Sequence, residues 1–184
     1  MASQSPRRRE LIKGLDIPFE VAADFDVEET YPAELPIDEV AVFLAEKKSN
    51  SFPSTLKENE ILLTADTIVK CDNALLGKPS DKNNAIEMLA NLSGKRHEVI
   101  TGTCLRSLHE KKLFSVSSYV YFSNLSSKEI NYYVDKYVPL DKAGAYGIQE
   151  WIGYIAIEKI EGSYYNVMGL PVSRIWKEIT TFIK

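Results

Sequence analysis

Asp66 stands in the middle of Ile61-Leu-Leu-Thr-Ala-Asp-Thr-Ile-Val69, a run whose other eight residues are all apolar or β-branched and suit a buried strand. An ionised carboxylate in such a strand costs several kcal/mol unless something compensates it. Alternation puts Leu62, Thr64, Asp66 and Ile68 on one face, and Leu63, Ala65, Thr67 and Val69 on the other. Asp66 therefore meets solvent only if its face opens on a cleft. After a turn at Asp72-Asn73, a short second strand ends at Gly77-Lys78-Pro79, where glycine permits close backbone approach and proline stops the ladder. A carboxylate and an ammonium delivered by neighbouring strands suit either reaction chemistry or a partly buried ion pair at a sheet end.

Four further stretches carry groups of the same kind. Near the N-terminus, Ser3-Gln-Ser-Pro-Arg-Arg8 reads as a helix start, with Ser5 as N-cap and Pro6 as first helical residue. Ser3, Ser5 and the early amides would form an anion-binding end with Arg7 and Arg8 beside it. The basic run Arg7-Arg8-Arg9 taken alone reads equally as a solvated face. The acidic stretch Asp24, Asp26, Glu28, Glu29 reads as an exposed loop, one member of which could hold Mg²⁺, an ion usually bound by one or two carboxylates plus substrate phosphates. Lys48 follows Ile37 by eleven positions, close to three helical turns, and so extends an inward stripe. Periodicity alone favours snorkelling for it over reaching a site. In Asp141-Lys-Ala-Gly-Ala-Tyr-Gly-Ile-Gln149 the small residues suit either a loop close to a ligand, with the Gln149 amide reading a base edge, or a tightly packed turn.

The elements that must position these groups are legible as patterns. Helices are expected from Ser5 to Gly14, from Pro36 through Ile37, Val40, Ala41 and Leu44, and from Ser80 or Asp81 to Gly94. Ser126-x-x-Glu129 is a capping box opening a helix that Pro139 ends, and the last helix carries Val172, Ile175, Trp176, Ile179 and Phe182 as its buried stripe. Strands are expected at Ile17–Val21, Ile61–Lys70, Val99–Leu105, Leu113–Phe122 and Gly153–Ile160, the third and fourth forming a hairpin. His97 and His109 share no motif and read as satisfied or exposed histidines. Alternating helices and strands with hairpins among them predict an α/β fold with a mixed sheet.

Composition narrows the function classes. The chain has 184 residues, enough for one sizeable core or two small lobes sharing a sheet. A net charge of −4 argues against a nucleic-acid binder or an anionic-membrane binder. Two cysteines, Cys71 and Cys104, make no disulfide framework or metal spacing and suit a reduced, cytosolic protein. No apolar run approaches the roughly 18 residues of a membrane span. Lys78 is followed by Pro79, so there is no Walker-type phosphate loop.

Taken together, the chain resembles the Maf family of nucleoside-triphosphate pyrophosphatases. The matching motifs are Ala2-Ser-Gln-Ser-Pro-Arg-Arg8, Ala65-Asp-Thr67, Gly77-Lys-Pro79, Leu92-Ser-Gly94 with His97, Thr101-Gly102, Asp141 to Gln149 and Gly162 to Pro171. They fall in family order and span nearly the whole chain. The resemblance implies a single domain over residues 1–184, with an elongated, twisted mixed sheet flanked by helices and two lobes around a central cleft. It implies hydrolysis of dTTP or UTP, or a modified pyrimidine triphosphate, to the monophosphate and pyrophosphate in a nucleotide-housecleaning role. A divalent cation, Mg²⁺ or Mn²⁺, a cytoplasmic location and a homodimer come with it. Carried over motif by motif, Asp66 is the catalytic carboxylate, and Ser3, Arg8, Lys48 and Lys78 contact phosphates. Arg7, Thr67 and Gln149 are specificity positions of the dTTP/UTP branch. Glu29, with Glu28 as an equally arguable register, joins Asp66 in holding the metal. Attack on an α-phosphorus needs an activated water and a neutralised polyanion; Asp66 could act on the water directly or through the metal.

Relatives carry an apolar strand before the Ala-Ser-x-Ser-Pro motif, which here begins at Met1, so an upstream start is expected. The alternative function is a nucleotide-binding regulator of septum formation without turnover. Asp66 speaks against it, since a carboxylate would repel phosphates in a pure binder.

Overall fold

Helix-forming and strand-forming stretches alternate along the chain in the computed structural model, which describes residues 1–23, 25 and 27–182. Asp24 and Asp26 of the acidic stretch lie outside the described residues. Five strands, β1 (Leu62–Cys71), β2 (Ala74–Leu76), β3 (Arg96–Arg106), β4 (Lys111–Phe122) and β5 (Ile157–Glu161), form one sheet in the order β2-β1-β3-β4-β5. The β1–β2 and β4–β5 pairs are antiparallel, with Val69 opposite Leu76 and Tyr119 opposite Glu161. Helices flank the sheet, so the fold is α/β. None of the described helices is long and apolar enough to cross a membrane. The chain divides into two compact units, one of Met1–Thr67, Thr101–Val116 and Gly169–Lys184, the other of Ile68–Ile100 and Ser117–Met168.

In the first unit, helix α1 (Pro6–Lys13) starts as its sequence dictates: the Ser5 hydroxyl accepts from the Arg8 amide at 3.4 Å and Pro6 takes the first helical position. Helix α2 (Ile37–Asn50) buries Val40, Ala41, Leu44 and Ala45. Gly102 on β3 makes that packing possible, because a Cβ there would lie 2.2 Å from the Ala41 backbone. The Thr64 hydroxyl donates to the Ala45 carbonyl at 2.7 Å, which fixes the helix along β1. The expected strand at Ile17–Val21 is absent: the segment is irregular, anchored where the Met1 amine donates to Glu20 O and Ala22 N donates to Met1 O. Pro18 removes one ladder donor there.

Helix α7 (Val172–Phe182) buries Val172, Ile175 and Ile179, but Trp176 is 45% exposed, against the expected stripe. The inward position goes to Glu178, buried because Lys112 and Arg174 both pair with it.

The second unit has its own core, in which helices α3 (Lys82–Leu92) and α4 (Ser127–Tyr137) cover Val69, Cys71, Val99, Val120 and Phe122 with Leu89, Leu92, Tyr133 and Val134. Asp81 caps α3, accepting from Asn84 N at 2.9 Å. The capping box of α4 forms both ways, Glu129 N to Ser126 Oγ at 3.3 Å and Ser126 N to Glu129 Oε2 at 2.7 Å. The expected strand from Gly153 begins later. Trp151–Ala156 is a short helix, α5, because Gly153 N donates back to Glu150 O at 2.9 Å and Ile152 and Ala156, four apart, share one buried face. Likewise Tyr164–Met168 forms helix α6 inside the turn-rich lead to α7.

Candidate active site

The Thr64–Ala45 bond sets the geometry of the main charge centre. Asp66 lies two residues beyond Thr64 on the same face of β1, and Lys48 lies one helical turn beyond Ala45 on α2. Their side chains meet: the Lys48 ammonium donates to Asp66 Oδ1 and, at 2.7 Å, to Glu29 Oε1. Lys48 therefore reaches a carboxylate pair, correcting the snorkelling expected from periodicity. Burying Asp66 would be costly without that cation. The side chains grade outward, from 11% exposure at Asp66 through 17% at Lys48 to 39% at Glu29. Of the two glutamates left open by register, it is Glu29 that meets Lys48; Glu28 is exposed.

The neighbouring residue, Thr67, serves the opposite face of the strand. Its hydroxyl lies 3.0 Å from Thr101 Oγ1 and accepts from Arg8 Nη2 at 2.9 Å, while Arg8 Nε donates to Gly169 O at 2.7 Å. Arg8 is thus locked in direction by two contacts to protein. Burial pulls its pKa below the ordinary guanidinium value, opposed by the charge of Asp66, aided by Arg7 and opposed again by Glu29, and a guanidinium in that position remains a cation. Gly169, at φ +113°, leaves room for the guanidinium. Ser3 is held at the start of α1, its hydroxyl accepting from Ser5 N at 3.3 Å and its carbonyl from Arg9 Nε at 3.0 Å. The Ala2 amide donates to Leu63 O at 3.0 Å, which pins the whole segment to β1. Arg7 is half-buried on α1.

The first unit thus gathers Ser3, Arg8, Glu29, Lys48, Asp66 and Thr67 in two hydrogen-bonded groups and the loop beside them. Lys78 and Gln149 belong to the second unit. Lys78 is exposed in the turn after β2, where Gly77 O accepts from Gly144 N at 3.0 Å and so ties that turn to the Asp141–Gln149 loop. Gln149 is half-buried, and its Oε1 is enclosed with no hydrogen-bond donor among the described residues. An enclosed carbonyl oxygen without a donor leaves a full desolvation cost uncompensated, which makes it a candidate for contact with a ligand.

Thr101, part of a matching motif but given no role by the sequence, shares the Thr67–Arg8 group and lies next to the glycine that admits α2. Glu150, which carries no sequence signal beside Gln149, binds both Lys142 and Tyr133.

A strand-borne carboxylate paired with a lysine and a serine-arginine helix start thus lie in one unit of an α/β fold. The chain belongs to the Maf-like protein family, whose description matches residues 1–182. It is 51% identical over 184 residues to a dTTP/UTP pyrophosphatase of Porphyromonas gingivalis, covering 99% of this chain and 92% of that protein. A dTTP/UTP pyrophosphatase of Bacteroides thetaiotaomicron is 49% identical over 179 residues, covering 97% of this chain and 93% of its own length. One from Flavobacterium johnsoniae is 49% identical over 183 residues, with 100% and 94% covered.

Proposed function

We propose that this protein is a nucleoside-triphosphate pyrophosphatase that hydrolyses dTTP and UTP to the monophosphate and pyrophosphate. The observation that carries the proposal is the Lys48 ammonium joined to both Asp66 and Glu29 beside the Ser3–Arg8 helix start. The relatives' names agree with it.

Asp66 is assigned the attacking water, which its carboxylate orients and from which it accepts a proton as the α-phosphorus is attacked. The pyrophosphate leaves with its electron pair on the bridging oxygen, and the charge that builds there needs fixed cations. Lys48 and Arg8 supply two from separate elements, and Ser3 and the early amides of α1 add donors. Lys78 is assigned a further phosphate contact, and Arg7, Thr67 and Gln149 base and sugar selection.

Two carboxylates converging on one cationic group also fit a hard divalent ion. Asp66 and Glu29 present only oxygen donors, and among the described residues no cluster of three or more acidic, histidine or cysteine ligands competes for the role. Asp66 and Glu29 would hold Mg²⁺ or Mn²⁺, which when bound neutralises phosphate charge and lowers the pKa of water. Family resemblance, together with two buried free cysteines, Cys71 and Cys104, supports a cytoplasmic homodimer.

The test is pyrophosphate release from a panel of nucleoside triphosphates with Mg²⁺ or Mn²⁺, run beside Asp66→Asn. Release from dTTP and UTP that vanishes in the variant supports the proposal. A wild-type protein that binds nucleotide and releases nothing overturns it.

A further inference from the structure

Around Gln149 the second unit contains a polar network that none of the assigned roles uses. Lys142, with a side chain only 8% exposed, donates to Asp141 at 2.7 Å and pairs with Glu150 Oε1 at 3.2 Å. The fully buried Tyr133 donates its hydroxyl proton to Glu150 Oε2 and accepts from the Gly147 amide at 3.0 Å. Burial, with Glu150 adding to it, raises the Tyr133 pKa well beyond the phenolic range, so the hydroxyl is always a donor. The backbone closes the same turn, Glu150 N donating to Gly147 O at 3.0 Å. A Cβ on Gly147 would lie 2.8 Å from the Glu150 carboxyl carbon, and one on Gly153 would lie 1.8 Å from Ile148 O. The turn carrying Gln149 is therefore packed too tightly for a side chain at Gly147 or Gly153, and Gln149 Oε1 is enclosed with no donor among the described residues.

We propose that Tyr133, Glu150 and Lys142 are positioning residues that clamp the Gly147–Glu150 turn, so that Gln149 Oε1 is held as a fixed acceptor for the imide N3–H of uracil or thymine. Resting on the pyrimidine assignment above, this adds the reason for a particular pyrimidine. Cytosine presents a bare N3 lone pair at that position and would leave Oε1 facing another acceptor. A site built around one hydrogen bond rejects the analogue that cannot make it. A buried lysine paired with a half-buried glutamate at a turn whose Gly147 and Ile148 are themselves buried is otherwise unexplained, since a hydrophobic replacement would hold such a turn equally well.

Tyr133→Phe removes the hydroxyl and keeps the ring. The expected result is amide hydrogen exchange at least about tenfold faster across residues 147–149. The preference for α,β-imido-UTP over its cytidine counterpart, measured by calorimetry, falls about tenfold. KM for UTP rises while kcat holds within about twofold. Glu150→Gln, which still accepts from Tyr133, keeps most of the preference. Unchanged exchange in Tyr133→Phe overturns the proposal, as does faster exchange with the preference intact. So does a wild-type protein that binds the two analogues equally. If the wild type prefers the uridine analogue but releases no pyrophosphate, the pyrophosphatase assignment falls and the positioning proposal stands.

Discussion

The two units each contain a lysine paired with carboxylates, and the pairs are built to different ends. Lys48 in the first unit links Asp66 to Glu29 in a chain that opens stepwise to solvent, ending at a side chain 39% exposed. Lys142 in the second unit is 8% exposed and belongs to a network with one solvent-exposed end, at Asp141, and one end on backbone, at the Gly147 amide. A chain of side chains alone lets a cation or phosphate exchange places with an existing partner at little desolvation cost. One anchored to backbone fixes geometry and loses stability when an anchored member goes. Strongly paired charge is thus not by itself a sign of chemistry; anchorage to backbone distinguishes the two.

The comparison can be broken by substitutions that should act on activity in one unit and on stability in the other. Asp66→Asn should cost about a thousandfold in kcat, because the carboxylate is lost as proton acceptor while its shape stays. Its melting temperature should fall by no more than a few degrees; a large fall with modest loss of rate would place Asp66 among the structural pairs. Lys142→Met should do the opposite, leaving the half-buried Glu150 charge without its cation and lowering unfolding free energy by about 2 kcal/mol in urea titrations. A Lys142→Met protein as stable as wild type would remove the distinction.

His97 tests the second unit without touching its ion pairs. It is 2% exposed, its Nε2 is 2.8 Å from the Tyr146 hydroxyl, and its Nδ1 has no partner among the described residues. Burial lowers its pKa from 6.5 to about 4. The folded state therefore binds fewer protons than the unfolded one across that window. Its contribution is fully present above pH 6.5 and is lost as pH falls to about 4, a total of about 3 kcal/mol. Urea midpoints across this range should decline on acidification in the wild type and decline less in His97→Gln; parallel curves would exclude His97 as the source. The smallest effect is expected for Thr101→Val, which removes one neutral hydrogen bond to Thr67 and should cost about 1 kcal/mol by the same measurement.

Much of the candidate site was legible before folding. Asp66 was conspicuous as a carboxylate in an apolar strand, and the Ser5-Pro6 cap and the Ser126–Glu129 box appear as their sequences require. Each is a local pattern, readable because capping and alternation involve residues only a few positions apart. The failures are those of range. Trp176 is exposed against the expected stripe, and Glu178 is buried because Lys112, distant in sequence, neutralises it. The Gly153–Ile160 stretch has strand-like composition, but the Gly147–Glu150 turn captures its first half as α5. Periodicity alone favours snorkelling for Lys48, because nothing in its helix reveals what faces it.

By itself, then, the sequence determined the capped helices and the central strands, which carboxylate must find a partner, and the family to which the chain belongs. Tertiary structure alone decided who that partner is. Gly102 admits α2, and the Thr64–Ala45 bond sets its register, bringing Lys48 and Asp66 together across 18 positions of sequence. It likewise decided that Tyr133 and Lys142 converge on Glu150. Backbone preferences act over a few residues, whereas the compensation of a buried charge is settled by whichever opposite charge the packing brings within hydrogen-bond reach.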